Sequence, residues 1–175
     1  ALACQRPAEA HAALATLPND PQPERAADLD SIALAELGRV DEALALVASL
    51  RQLHPSSFAL RLREADLTFR KQPTAESLTA ILALAAEHPG DCRGNMLAAR
   101  AFASLQQHDD ALRALGPESS WGTLPLEGVM IGIRSLQAAN RPQDALDLLD
   151  KTPVAPGEAA ALRAVTTEDF MTADW

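Results

Sequence analysis

Aromatic side chains are scarce in this chain: no tyrosine, two tryptophans and four phenylalanines among 175 residues, 3% in all. A core must therefore be aliphatic, and the 47% hydrophobic content is rich in alanine and leucine, both strong helix formers. β-Branched residues are few and never alternate over a strand's length, so no sheet is expected. Of the two cysteines, Cys4 and Cys92, neither stands in a C-x-x-C pair, which removes support for zinc-finger and thioredoxin-type readings. Both are read as small buried apolar residues. Positive charge is in deficit: 15 Lys and Arg against 24 Asp and Glu give a net charge of −9. That argues against nucleic acid as a partner, because its binding is dominated by neutralisation of phosphates. No apolar run reaches the roughly 18–20 residues of a membrane-spanning helix. The longest candidate, Leu78 to Ala86, is interrupted by Thr79.

Catalytic signatures are missing too. No G-x-S-x-G, H-E-x-x-H or glycine-rich phosphate loop occurs. His11, His54, His88 and His108 fall in separate segments, whereas a metal site needs about three or four convergent ligands. Neither a metal nor a cofactor is expected, and the chain is not read as an enzyme. Carboxylate pairs such as Asp41-Glu42 and Asp109-Asp110 suit first helical turns, where the helix dipole favours negative charge.

What the sequence does have is a period. Leu44, Leu78, Leu112 and Leu146 each follow the last by 34 positions, and each follows a small residue: Ala43, Ser77, Ala111 or Ala145. The punctuation shares the spacing, since His54-Pro55 and His88-Pro89 are also 34 apart. Gly38 suits a helix-ending residue, and Pro55 and Pro89 stop helices. Leu44, Val47, Leu50 and Leu53 form one apolar stripe, and Leu78, Ile81, Leu82 and Ala85 another. Helices are predicted over 6–17, 24–37, 40–53, 57–70, 74–87, 92–105, 109–115, 125–139, 142–150 and 158–165. Residues 116–124, with Gly116, Pro117, Gly122 and a Trp121 read as exposed, are expected to form a loop.

A 34-residue helix–turn–helix period is the mark of the tetratricopeptide unit, and the chain resembles the tetratricopeptide repeat family from about residue 5 to residue 152. The resemblance is carried by small residues on second helices (Ala10, Ala43, Ser77, Ala111, Ala145), small residues on first helices (Ser31, Ala65, Ala99), the turn Gly38 and the closing Pro55 and Pro89. Three positions depart from the pattern. Asp30 and Glu64 replace a large apolar residue, and Ile133 is bulky where a small residue is expected. The resemblance implies an all-α, right-handed superhelical α-solenoid of antiparallel helix pairs. It divides the chain into a partial repeat over 1–22, repeats over 23–55, 56–89, 90–124 and 125–156, and a C-terminal helix and tail over 157–175. Repeat arrays need polar capping units at their ends. The half-missing first unit and the lack of a solvating last helix lead us to expect a piece of a longer protein, or self-association through open ends.

In proteins of this family the first helices line a concave wall, and side chains one period apart stack along it. One such column reads Ile32, Asp66, Arg100, Arg134. A second reads Asp28, Leu62, Met96, Met130. A third reads Ala35, Phe69, Ala103, Gln137, with Arg70 and Arg93 nearby. Arg suits carboxylate recognition and Met suits adaptable apolar contact. Asp66, Arg100, Arg134, Leu62, Met96, Met130, Phe69, Arg70 and Arg93 are therefore the candidate peptide-groove residues. An alternative reading pairs Asp66 with Arg100 inside the wall and places the methionines in the core. The function expected is that of a protein–protein interaction scaffold with a peptide or partner subunit in the groove, within a larger assembly or secretion-type complex. A targeting or co-chaperone adaptor, and the docking region of an enzyme whose catalytic domain lies elsewhere, are the alternatives.

Overall fold

A computed structural model of the chain describes residues 6–15 and 23–152. The elements run α1 (Pro7–Ala15), α2 (Pro23–Glu36), α3 (Val40–Leu53), α4 (Phe58–Lys71), α5 (Ala75–Glu87), α6 (Cys92–Ser104), α7 (His108–Ala114), a 3-10 turn (Glu118–Thr123), α8 (Leu126–Ala138) and α9 (Pro142–Lys151). Among the described residues there is no strand, and no helix is long and apolar enough to cross a membrane. Each predicted helix that falls within these residues is present, its ends within two residues of expectation. The predicted helix at 158–165, the tail after it, Cys4 and the last two residues of the predicted 6–17 helix lie outside them. The chain forms two compact units, Ala1–Leu84 and Ala85–Trp175, and the division falls inside α5.

The turns within the helical hairpins explain why the elements end where they do. Gly38, Gln106 and Asn140 occupy one place in the period, and all three have positive φ, +76°, +61° and +55°. The residue after each closes a Schellman bond. Arg39 N–H donates to Leu34 O at 2.9 Å, Gln107 to Phe102 O at 2.9 Å, and Arg141 to Leu136 O at 2.8 Å. The fourth position in this register is Gln72, whose φ is −142°. Pro73 follows it, has no N–H to donate, and holds the residue before it in extended backbone. The connections between hairpins repeat as well. The carbonyl of His54 accepts from Ser57 N–H at 3.1 Å, and that of His88 from Asp91 N–H at 2.9 Å, each with proline at the turn position that favours it. The histidine–proline pairs are punctuation, as their spacing predicts.

In the first unit, Leu34, Ala43, Val47 and Leu67 from α2, α3 and α4 form one buried cluster. In the second, Ala99, Leu115 and Ile131 form a cluster at α6, the end of α7, and α8. Leu112, Trp121, Val129, Ile133, Leu136, Ala145, Leu148 and Leu149 form a second one at α7, the 3-10 turn, α8 and α9. Each cluster draws on consecutive elements, as expected when a helical pair hides its apolar face against its sequence neighbours. A side chain such as Leu67, fully buried, contributes about 1.5–3 kcal/mol by leaving water.

Burial corrects several readings. Leu44, Leu78 and Leu146 are half-buried and only Leu112 is fully buried. The constant of the period is the small residue before each: Ala43, Ser77, Ala111 and Ala145 are all buried, because two helix backbones approach there. Leu53 is 74% exposed and Leu82 is exposed. Leu53 closes the last turn of α3, and on α5 it is Leu84 that is buried in place of Leu82. Trp121 is 5% exposed, not on the surface, and its indole N–H donates to Gly116 O at 3.0 Å. The segment expected as loop thus folds a 3-10 turn into the core. Cys92 is exposed, at the first residue of α6, instead of buried. The bulky Ile133 is accommodated because its neighbour Gly132 makes the close approach: a Cβ there would lie 2.8 Å from Leu148 Cδ2.

The carboxylates that replace expected apolar residues are partnered. Asp30 accepts from His11 Nδ1 at 2.5 Å, joining α2 to α1. Glu64 pairs with Arg51, joining α4 to α3.

Candidate functional site

The charged face of the first unit is built on α4, where Arg63, Asp66 and Arg70 stand three and four residues apart and so share a stripe. Asp66 is buried and lies between the two arginines, 3.2 Å from Arg70 Nε and 3.5 Å from Arg63 Nη1. Each arginine also reaches a carboxylate on α2: Arg63 Nε to Asp28 at 2.9 Å, and Arg70 Nη1 to Glu36 at 3.0 Å. Burial works against the charge of Arg70, and Asp66 and Glu36 overcome it, so its pKa is raised above the ordinary guanidinium value. The result is a ladder of five alternating charges tying α2 to α4. Leu62 and Phe69, on the same helix, are buried and belong to the packing beneath it. Arg63 and Glu36 were not among the sequence candidates. Arg63 could have been found from its i,i+3 relation to Asp66, and Glu36 from standing one period before Arg70.

The second unit presents a different face. Arg100 on α6 donates to Glu127 on α8 at 3.0 Å. One turn earlier on α6, Met96 lies against Gly128: a Cβ on that glycine would be 3.6 Å from the Met96 sulfur. The thioether thus packs at ordinary contact distance against α8. Along α8, Glu127, Met130 and Arg134 follow at i, i+3 and i+7, again one stripe. Met96 and Met130 are half-buried, and Arg134 is exposed, with no ion pair among the described residues. Arg93 sits apart, at the start of α6, in a clasp with Asp91. Its backbone N–H donates to Asp91 Oδ1 at 3.0 Å and its Nη2 to Asp91 Oδ2 at 2.6 Å. Its place is the helix cap.

The structure thus groups Leu62, Asp66, Phe69 and Arg70 on α4, and Met96, Arg100, Met130 and Arg134 on α6 and α8. Chemically the first face pairs its guanidiniums with its own carboxylates, and the second offers polarizable apolar surface beside a guanidinium with no ion pair among the described residues. Among the described residues no group of three or more His, Cys, Asp or Glu could hold a metal ion.

No family model matches the chain, and no curated protein matches it. Among solved structures it is similar to a tetratricopeptide repeat protein from Parabacteroides merdae ATCC 43184, with 14% identity and a TM-score of 0.52 over 82% of this chain and 56% of that one. The chain spans little more than half the length of that structure. With the shared fold, the 34-residue period and the recurring turns together, the chain has the all-α, helical-repeat fold of a tetratricopeptide repeat protein.

Proposed function

We propose that this chain is a non-catalytic protein-binding scaffold whose first helices receive a peptide or partner subunit, as part of a larger assembly or secretion-type complex. The repeats that would carry it are those over 23–55, 56–89, 90–124 and 125–156, with a partial one before them. The observation that supports this reading is the face of α6 and α8. Met96 and Met130 supply adaptable apolar contact, while Arg134 has no carboxylate partner among the described residues and Arg100 shares Glu127. Such a surface suits a segment with both apolar and acidic side chains. Guanidinium groups pair carboxylates bidentately, and apolar contact beside them lowers the local dielectric in which the pair forms. The test is charge reversal. Arg100→Glu with Arg134→Glu, checked for an unchanged helical circular dichroism spectrum, should lose most of the native partners captured by the unaltered chain. Capture of the same partners in the same amounts by a folded double variant removes the reading.

A further inference from the structure

We infer that the α6–α8 face is self-complementary and closes on the same face of a second copy of this chain, with the two α8 helices packed antiparallel about a twofold axis at Met130. Along the exposed stripe of α8 the order is acid, thioether, base: Glu127, Met130, Arg134. Glu127 and Arg134 are both exposed. They stand two turns apart, about 10 Å along the axis at 1.5 Å per residue, too far to pair within their own helix. An antiparallel copy reverses the order. A twofold axis midway between positions 127 and 134 passes beside Met130, and it sets Glu127 of each copy against Arg134 of the other. Two ion pairs then follow from one relation, as in an isologous contact where a single patch serves both sides. Parallel packing would set acid against acid and base against base, so the charges select the antiparallel arrangement.

The apolar part of the stripe fits the same axis. The two Met130 side chains meet there, and flexible thioethers adapt to such a like-with-like contact. Leu126, exposed at the start of α8, lies one turn from Met130 and lengthens the apolar strip, which the stem of an arginine can cover while its guanidinium stays at the ion pair. Glu127 keeps its bond from Arg100, 3.0 Å long, because an ionised carboxylate accepts at both oxygens; Asp66 holds two arginines in the same way. One helix laid on one helix is a contact at the low end of specific interfaces, below about 1,200 Å², so the dimer is a weak one. The second copy covers the face proposed for a partner, and the two occupants exclude one another. Self-association then holds the face closed until a partner displaces it. That regulatory consequence rests on the proposed reading of the face; the contact between copies does not.

The test is analytical ultracentrifugation of the full chain over an about hundredfold range of concentration. The unaltered chain should pass from monomer to dimer and stop there, because an isologous contact closes. Glu127→Lys and Arg134→Glu, each with an unchanged helical circular dichroism spectrum, should each weaken association at least about tenfold, since the twofold axis counts every like-charge pair twice. An equimolar mixture of the two variants restores opposite charge at both pairs and should dimerise as the unaltered chain does. An unaltered chain that stays monomeric overturns the inference. So does association undiminished in both variants, association that runs beyond the dimer, or a mixture no more associated than its components. None of these outcomes touches the reading of the face as a partner site. That reading fails separately, if the chain with Arg100→Glu and Arg134→Glu captures the same partners in the same amounts.

Discussion

The hydroxyl of Ser77 donates to the carbonyl oxygen of Gln72 at 2.8 Å, across the hairpin turn that contains Pro73. The corresponding position in three other repeats is alanine: Ala43, Ala111 and Ala145. Pro73 removes the N–H that closes the turn elsewhere, and Ser77 supplies a different closure. Thr74 completes it, its Oγ1 accepting from Ser77 N–H at 3.2 Å. The serine and the proline form one local solution to the same geometric problem.

It follows that Ser77→Ala should lower the unfolding free energy by about 1 kcal/mol, the net value of a part-buried hydrogen bond. The cost should shrink in a Pro73→Lys background, where the backbone donor is restored. Urea denaturation of the four chains gives the coupling energy. An identical cost in both backgrounds would show that the two residues act independently.

Gln106 has a left-handed backbone, which costs an L-residue with a side chain about 1–2 kcal/mol. Gln106→Gly should therefore raise the thermal midpoint, with a gain of about 1 kcal/mol. Gln72→Gly, at the same place in the period but in extended backbone, should instead lose roughly 0.5–1 kcal/mol to unfolded-state entropy. Melting curves in which both glycines act in the same direction would contradict the turn assignment.

Trp121 is held by burial among α8 and α9 side chains and by its N–H on Gly116. Trp121→Ala should cost about 3–5 kcal/mol, and Trp121→Phe less, since much of the ring volume stays. Tryptophan emission of the unaltered chain should also move to longer wavelength on unfolding. A Trp121→Ala variant as stable as the parent would return the residue to the surface.

Asp91 caps α6 and carries a pKa lowered from 3.8 to about 2, first by the side-chain hydrogen bond from Arg93 and then by that residue's backbone N–H. A carboxylate whose folded pKa lies below its unfolded one stabilises the fold above the unfolded value. Its contribution should be fully present above about pH 4 and decline as pH falls toward 2. Because the partner Arg93 is exposed to solvent, the ion-pair part is small and screened by salt. Asp91→Ala should cost about 1 kcal/mol at pH 7, the usual value of a lost N-cap. The gap to the parent should narrow between pH 4 and pH 2. A gap that stays constant over that range would mean the carboxylate's charge plays no part.

Helix boundaries were legible because their causes are local. Gly38, Pro55, Pro89 and Gly116-Pro117 punctuate the chain whatever surrounds them. Burial was less so. Leu53 fits the helical stripe of α3 but lies in its final turn and is exposed, whereas Trp121 sits among turn residues and is covered by α8 and α9. Neither fact is contained in a window around the residue. The positive φ of Gln106 was invisible because glutamine carries no preference for it; only its place in the period marks it.

The charged faces divide in the same way. Arg63, Asp66 and Arg70 follow from helical spacing, and Glu36 with Arg70 from the period, since residues one repeat apart meet across α2 and α4. Arg100 with Glu127, 27 residues apart, obeys neither spacing and needed the packed pair of helices. Gly128 was legible only as a glycine. Its contact with Met96 depends on which helix lies over it.

Asp30 and Glu64 stand one period apart, yet each reaches back to a different base, His11 and Arg51. Their hairpins are therefore addressed rather than interchangeable. A chain assembled with these two hairpins in exchanged order would separate each carboxylate from its present partner, although every leucine and alanine of the period remained in register. Sequence order in this array is written in charge, over an apolar pattern that by itself would accept any order.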